Sequence, residues 1–124
     1  MDITISDFDD VGKRITLVGR LDIFGAAKIE VPLADLADSD TNIVIDMSGV
    51  EFIASNSMRH LVLAAKTVAH HSRTLILLCP RPLVMVALIQ AGLHHMLPIV
   101  HSEEEAKAVL SRYTGVTCSG AQPV

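Results

Sequence analysis

Two nearly uninterrupted apolar runs, "NIVIDM" at 42–47 and "TLILLC" at 74–79, constrain this chain most. Runs without polar alternation, bounded by polar residues, fit strands covered on both faces, as in a sheet with parallel pairs sandwiched by helices. Between them Met58, Leu61, Val62, Ala65 and Val68 recur at i, i+3, i+4, i+7 and i+10, a single helical stripe. Strand, helix and strand make a βαβ crossover, expected to be right-handed. The chain is therefore read as α/β.

The remaining segments extend this unit. "ITIS" and "RITLVG" alternate apolar and polar residues, and "DDVGK" between them supplies Gly12 for a tight turn, so an N-terminal hairpin is expected. Ala26, Ile29, Leu33 and Leu36 follow helical spacing over 26–36, where Pro32 must either kink the helix or mark its first turn. Leu83, Val86, Ala87 and Gln90 predict a helix begun near Pro82 and closed by Gly92. "PIV" at 98–100 suits a short edge strand. "SEEEAKAVLSRY" places Ser102 three residues before Glu105, a capping box opening a last helix. The expectation is one domain with a mixed four- to five-stranded sheet and about four helices over residues 1–112, followed by a small, polar C-terminal tail at 113–124.

Composition narrows the function classes. The 124 residues carry a net charge of −4, with three Phe, one Tyr and no Trp, so neither a basic phosphate-binding surface nor an aromatic base-stacking platform is visible. The longest apolar run, Leu83 to Leu93, is interrupted by Gln90 and reaches about half the roughly 18 residues needed to cross a bilayer. Cys79 and Cys118 make no metal spacing and no disulfide framework, and the start of the chain does not read as a leader. A reduced, cytoplasmic protein that does not insert in membranes is expected. His70-His71 and His94-His95 are adjacent pairs whose side chains diverge by about 100° on a helix, so neither makes a metal site by itself. Asp22, Asp46 and Glu51 fall near expected strand ends, but no Gly-rich phosphate loop, nucleophile elbow or acidic magnesium cluster accompanies them. No cofactor is implied. Asp46, taken as the end of its strand, is expected to order the following turn through backbone amides.

The stretch "IVIDMSGVEFIASNSMRHL" resembles the signature of the STAS domain, found in anti-sigma factor antagonists and in the cytoplasmic tails of sulphate transporters. That family's pattern is a buried strand ending in Asp, a small residue, an apolar pair, and an Asp-Ser-Ser/Thr-Gly turn that starts a helix. Asp46, Ser48, Val50, Phe52, Ile53 and Ser55 fit it without gaps. "GRLD" at 19–22 and "GLHHMLPIVHSEEEA" at 92–106 are similar to further family segments, so the resemblance spans roughly residues 1–112.

The resemblance implies a non-enzymatic module that binds a histidine-kinase-like ATPase acting as both serine kinase and anti-sigma factor. In such antagonists the Ser or Thr before the Gly is phosphorylated, and the added charge releases the partner. This chain departs from the pattern there: Ala54 stands where Asp is usual, Asn56 occupies the acceptor slot, and Ser57 replaces Gly. An amide cannot take the phosphoryl group, so the switch is expected to be absent or displaced to Ser55 or Ser57. Asn56 and Ser57 are also ordinary helix-capping types, which alone accounts for them. With Met58, Leu61, Val62 and Ala65 turned inward, the outer stripe carries Asn56, Arg59, Leu63 and Lys66 with His60 beside it, a docking face on which Leu63 stands between two cations. Two other classes remain: a STAS subunit of a lipid-transporter ATPase complex, and a small hydrolase or nucleotide-binding protein. The chain itself is expected to be a monomer or weak dimer.

Overall fold

The computed structural model describes residues 1–8 and 12–113, with side chains through residue 110. In chain order the elements are β1 (Asp2–Phe8), β2 (Gly12–Leu21), α1 (Ile23–Asp38), β3 (Asn42–Ile53), α2 (Ser55–His70), β4 (Leu75–Leu78), α3 (Pro82–Gln90), a single 3₁₀ turn (Leu93–His95), β5 (Ile99–Val100) and α4 (Glu103–Tyr113). The strands lie in the order β1-β2-β3-β4-β5, antiparallel between β1 and β2 and parallel elsewhere. Hairpin, crossover and short edge strand stand as the sequence patterning predicts. The expected tail beyond α4 lies outside the described residues.

The apolar runs are buried on both sides, for different reasons on each. Ile43, Ile45 and Met47 of β3 join Ile15, Leu17 and Leu21 of β2 under Ile29 and Leu33 of α1, Leu61 and Val68 of α2 and Leu88 of α3. Val44, Ile76 and Leu78 face the other way and meet Phe8, Val100, Ala106 and Leu110, so among the described helices α4 is the one that covers that side of β3 and β4. Period-2 alternation in a strand sends neighbouring residues to opposite layers, and here both layers are apolar.

β3 departs from expectation in its length. Its register against β2 moves from Thr16↔Asp46 to Val18↔Gly49, and again from Gly19↔Val50 to Arg20↔Phe52, each step placing one extra residue on β3. These two bulges bend the strand and carry it well past β4, whose pairing stops at Asp46↔Leu78. Asp46 is therefore mid-strand rather than terminal. Its Oδ1 accepts from the Ser48 amide at 3.0 Å and the Ser48 hydroxyl at 2.7 Å, so the side chain does order the residues after it, but through a bulge and not a turn.

The helix ends also refine the reading. α1 begins at Ile23, and Pro32 lies in its interior, which removes the option that proline opens the helix. Asp22 caps it instead, accepting from the amides of Phe24 and Gly25. Gly12, expected to shape the hairpin turn, opens β2 and lies so close to the neighbouring strand that a Cβ there would sit 2.5 Å from the Asn42 carbonyl oxygen. The turn itself lies outside the described residues. Gly92 follows α3 with φ +79, the left-handed conformation that ends a helix. Before α4, Ser102 Oγ accepts from the Glu105 amide at 3.1 Å, while the Glu105 carboxylate accepts from His101, one residue upstream of the usual reciprocal bond.

Candidate functional site

The site of interest is the junction where β3 ends and α2 begins. Ala54 is the N-cap, and its methyl side chain can accept nothing; the amides of Ser57 and Met58 instead turn back to the Ala54 carbonyl at 3.0 and 3.2 Å. Asn56 and Ser57 thus sit inside the first turn, and neither caps the helix as expected from residue type. Capping requires the side chain before the first helical residue, and that residue is Ala54.

Ser57 does something different. Its hydroxyl donates to the Leu21 carbonyl at 2.8 Å, and the Ala54 amide donates to the same oxygen at 2.9 Å. Ser57 is fully buried. The last residue of β2 thereby receives two bonds from the start of α2 and fixes where that helix leaves the sheet. Ser55 and Asn56, by contrast, are exposed.

Beyond this turn α2 presents the face expected of it. Arg59, Leu63 and Lys66 are exposed and His60 is half-buried, with Leu63 keeping 52% of its surface in solvent. Leu63 and His60 line a shallow groove against α1, whose other wall includes Leu33, Ala34 and Ala37. The buried stripe is turned slightly from the apolar pattern: Ser57, Leu61, Ala64 and Val68 are buried, whereas Met58, Val62 and Ala65 are half-buried. Two of the four buried positions are taken by small residues, Ser57 and Ala64, which an apolar pattern does not pick out.

Two neighbours of the junction escaped the sequence reading. Phe52 is 41% exposed, and the Arg20 guanidinium lies 4.6 Å from its ring centre. The two residues are partners across the β2–β3 register, a pairing created by the second bulge and invisible without it. Arg20 also lies 3.8 Å from the Asp22 carboxylate. The amide of Gly25, then that of Phe24, and the charge of Arg20 hold the Asp22 carboxyl below its ordinary range. A second shallow cleft, lined by Phe52, Ala54, Ser55 and Met58 on one side and Ala87 and Gln90 on the other, separates the junction from α3.

The other reactive residues stand apart. The His94 and His95 rings touch at a tilt of 40°, with centroids 3.8 Å apart. Among the described residues no group of three or more His, Cys, Asp or Glu is arranged to hold a metal ion. Burial pushes the Cys79 thiol above its ordinary range, and its Sγ donates to the His101 carbonyl at 3.2 Å. Among the described residues no helix is long and apolar enough to cross a membrane.

A five-stranded mixed sheet, three helices packed on one face and one on the other, and a polar turn that opens the crossover helix define a small α/β domain of the STAS architecture. The STAS domain family model matches residues 5–106, and the chain belongs to that family. Solved structures agree on the fold. A Thermotoga maritima protein described as a candidate anti-sigma factor antagonist is 23% identical, with a TM-score of 0.77 over 89% of this chain and 95% of that one. An anti-sigma factor antagonist from Mycobacterium paratuberculosis is 18% identical, with a TM-score of 0.79 over 88% and 92% of the two chains. The Bacillus cell-fate determinant SpoIIAA in its phosphorylated form is 18% identical, with a TM-score of 0.66 over 87% and 99%. Comparison with curated protein sequences finds no significant match.

Proposed function

We propose that this chain is a regulatory binding module of the anti-sigma factor antagonist type, which docks on a serine-kinase-type anti-sigma factor and holds it without a phosphorylation switch. The observation that carries this reading is the position of Asn56. It is exposed in the first turn of α2, in the slot where the family places its phospho-acceptor, and its amide has no hydroxyl to modify. One structural relative was solved in a phosphorylated form, so a protein of this fold can carry a phosphate.

The flanking hydroxyls differ in exposure, and only that of Ser57 is closed off by burial. Ser57 is buried with its hydroxyl engaged at Leu21, so a kinase reaches it only after the start of α2 has opened. Ser55 is exposed and is the one flanking serine whose hydroxyl lies at the surface. Ala54 supplies no carboxylate beside either. The partner meets Asn56, Arg59, Leu63 and Lys66, with Leu63 as the apolar contact and the cations around it setting orientation.

Co-purification of the intact chain with a histidine-kinase-like ATPase tests the partner class. Leu63→Asp then tests the face: affinity falls at least tenfold by isothermal titration calorimetry while the thermal midpoint moves by less than about 2 °C, since Leu63 is a surface residue. An unchanged affinity removes the proposed face. Recovery of a transporter ATPase in place of the kinase favours a transporter-associated role, and turnover by the isolated chain favours an enzyme.

A further inference from the structure

Helix α1 carries an apolar seam outside its buried face, with one edge, at Ala34, bordering the groove against α2. Ala26, Ile29, Leu33 and Ala37 are buried, whereas Phe24, Ala27, Val31 and Ala34 are all exposed. The exposed four recur at i, i+3, i+7 and i+10, the spacing by which one helix packs along another. Phe24 is 80% exposed and Val31 64%, unusual for large apolar residues set in line. We propose that this seam is a self-association surface through which two copies of the chain pair α1 against α1, antiparallel and related by a two-fold axis.

Size complementarity names a second copy as the occupant. With the helices crossing at the level of Ile29, Phe24 of one copy lies against Ala34 of the other, and Val31 lies against Ala27. Each large side chain thus meets a small one, the arrangement that lets two surfaces interdigitate. A parallel pairing would set Phe24 on Phe24 and alanine on alanine, leaving voids.

Charge complementarity points the same way. Lys28 and Asp35 are both exposed on one flank of the seam, and the Lys28 amine, which donates to the Met1 carbonyl at 3.5 Å within its own chain, exchanges that long bond on pairing. A two-fold antiparallel pair brings like flanks together, and helical side chains lean toward their own N-terminus. Lys28 of each copy therefore reaches toward Asp35 of the other, twice by symmetry. On the opposite flank Glu30 of the two copies approaches the two-fold axis, an unfavourable pair that weakens the dimer without reversing its orientation. The exposed outer face of α3, formed by Leu83, Val86 and Ile89, offers no comparable charge or size pairing. A single pair of helices covers roughly half of the approximately 800 Å² per partner in a standard interface, so the dimer is weak and dissociates on dilution.

Sedimentation equilibrium of the full chain between about 10 μM and 1 mM tests this. The expected result is a reversible monomer–dimer equilibrium in which Val31→Asp raises the Kd at least tenfold. Lys28→Asp and Asp35→Lys each raise it about fivefold, the combined charge swap restores it to within about twofold, and Glu30→Gln tightens it. All four positions are exposed, and circular dichroism verifies that the variants fold. A chain monomeric throughout the range, or a dimer indifferent to Val31→Asp and to the charge swap, overturns the proposal. So does loss of a kinase-type partner on Val31→Asp with the chain monomeric, which would assign the seam to that partner.

Discussion

Replacing Ser57 tests how the start of α2 is held. The serine is fully buried and donates to the Leu21 carbonyl at 2.8 Å, so Ser57→Ala removes a hydrogen bond formed out of contact with water. The carbonyl is not orphaned, because the Ala54 amide still donates to it at 2.9 Å. The loss is thus that of one net hydrogen bond, about 1–1.5 kcal/mol, without the larger penalty for a buried acceptor left unpaired. Alanine's better helix propensity returns up to about 0.5 kcal/mol, leaving a net destabilisation near 1 kcal/mol. Ser57→Gly loses the bond and a further ~0.5 kcal/mol of helix propensity, so it costs about 2 kcal/mol. For a domain of this size the expected falls in thermal midpoint are about 3–5 °C for alanine and roughly twice that for glycine. Asn56→Ala, at an exposed position, changes stability by less than about 0.5 kcal/mol. Urea unfolding of the four proteins, read with one m value, gives the order directly. If Ser57→Ala were as stable as the parent, the bond to Leu21 would not be what fixes α2.

Other sites yield further expectations. Gly25→Ala destabilises the domain by about 2–3 kcal/mol in urea unfolding, because the new methyl runs into the Arg20 carbonyl, a backbone atom that cannot swing aside. Asp22→Ala lowers stability by removing the α1 cap. Since the folded state holds the Asp22 carboxyl below its ordinary pKa of 3.8, that contribution is complete above this value and is lost as the pH falls through the depressed folded value. The thermal midpoints of parent and variant therefore differ at pH 7 and converge in acid; a gap unchanged down to pH 2 would show that the carboxylate charge contributes nothing to the cap.

Much of this architecture is legible because periodicity reports burial. The apolar runs at 42–47 and 74–79, the stripe of α2, Gly92 after α3 and the Ser102–Glu105 pair each encode a local preference that the tertiary structure keeps. What hydropathy does not encode is where a strand accommodates extra residues. The two bulges carry β3 on past Asp46, which looks like a strand end in the sequence but lies mid-strand, and pair Arg20 with Phe52; the cap of α2 then falls to Ala54. The start of α1 was hidden for another reason. Ile23 and Phe24 face outward, so the apolar stripe begins only at Ala26, although Asp22 is a capping residue in the right place. At the functional turn, residue type identified the four positions together, but burial divides them: Ser57 belongs to the core, and Ser55 and Asn56 belong to the surface.

Phosphorylation of the intact chain, measured together with retention of its partner, bears most directly on the proposed mode of action. The kinase-type anti-sigma factor is mixed with the chain in the presence of magnesium and ATP, and phosphopeptide mass spectrometry is read alongside the amount of complex on a sizing column. The proposal predicts no phosphate on residues 54–57 and a complex that persists through ATP turnover, because Asn56 offers no acceptor, Ser57 is enclosed, and exposed Ser55 stands beside Ala54 where the family has a carboxylate. Phosphate on Ser55 or Ser57 accompanied by dissociation would contradict it.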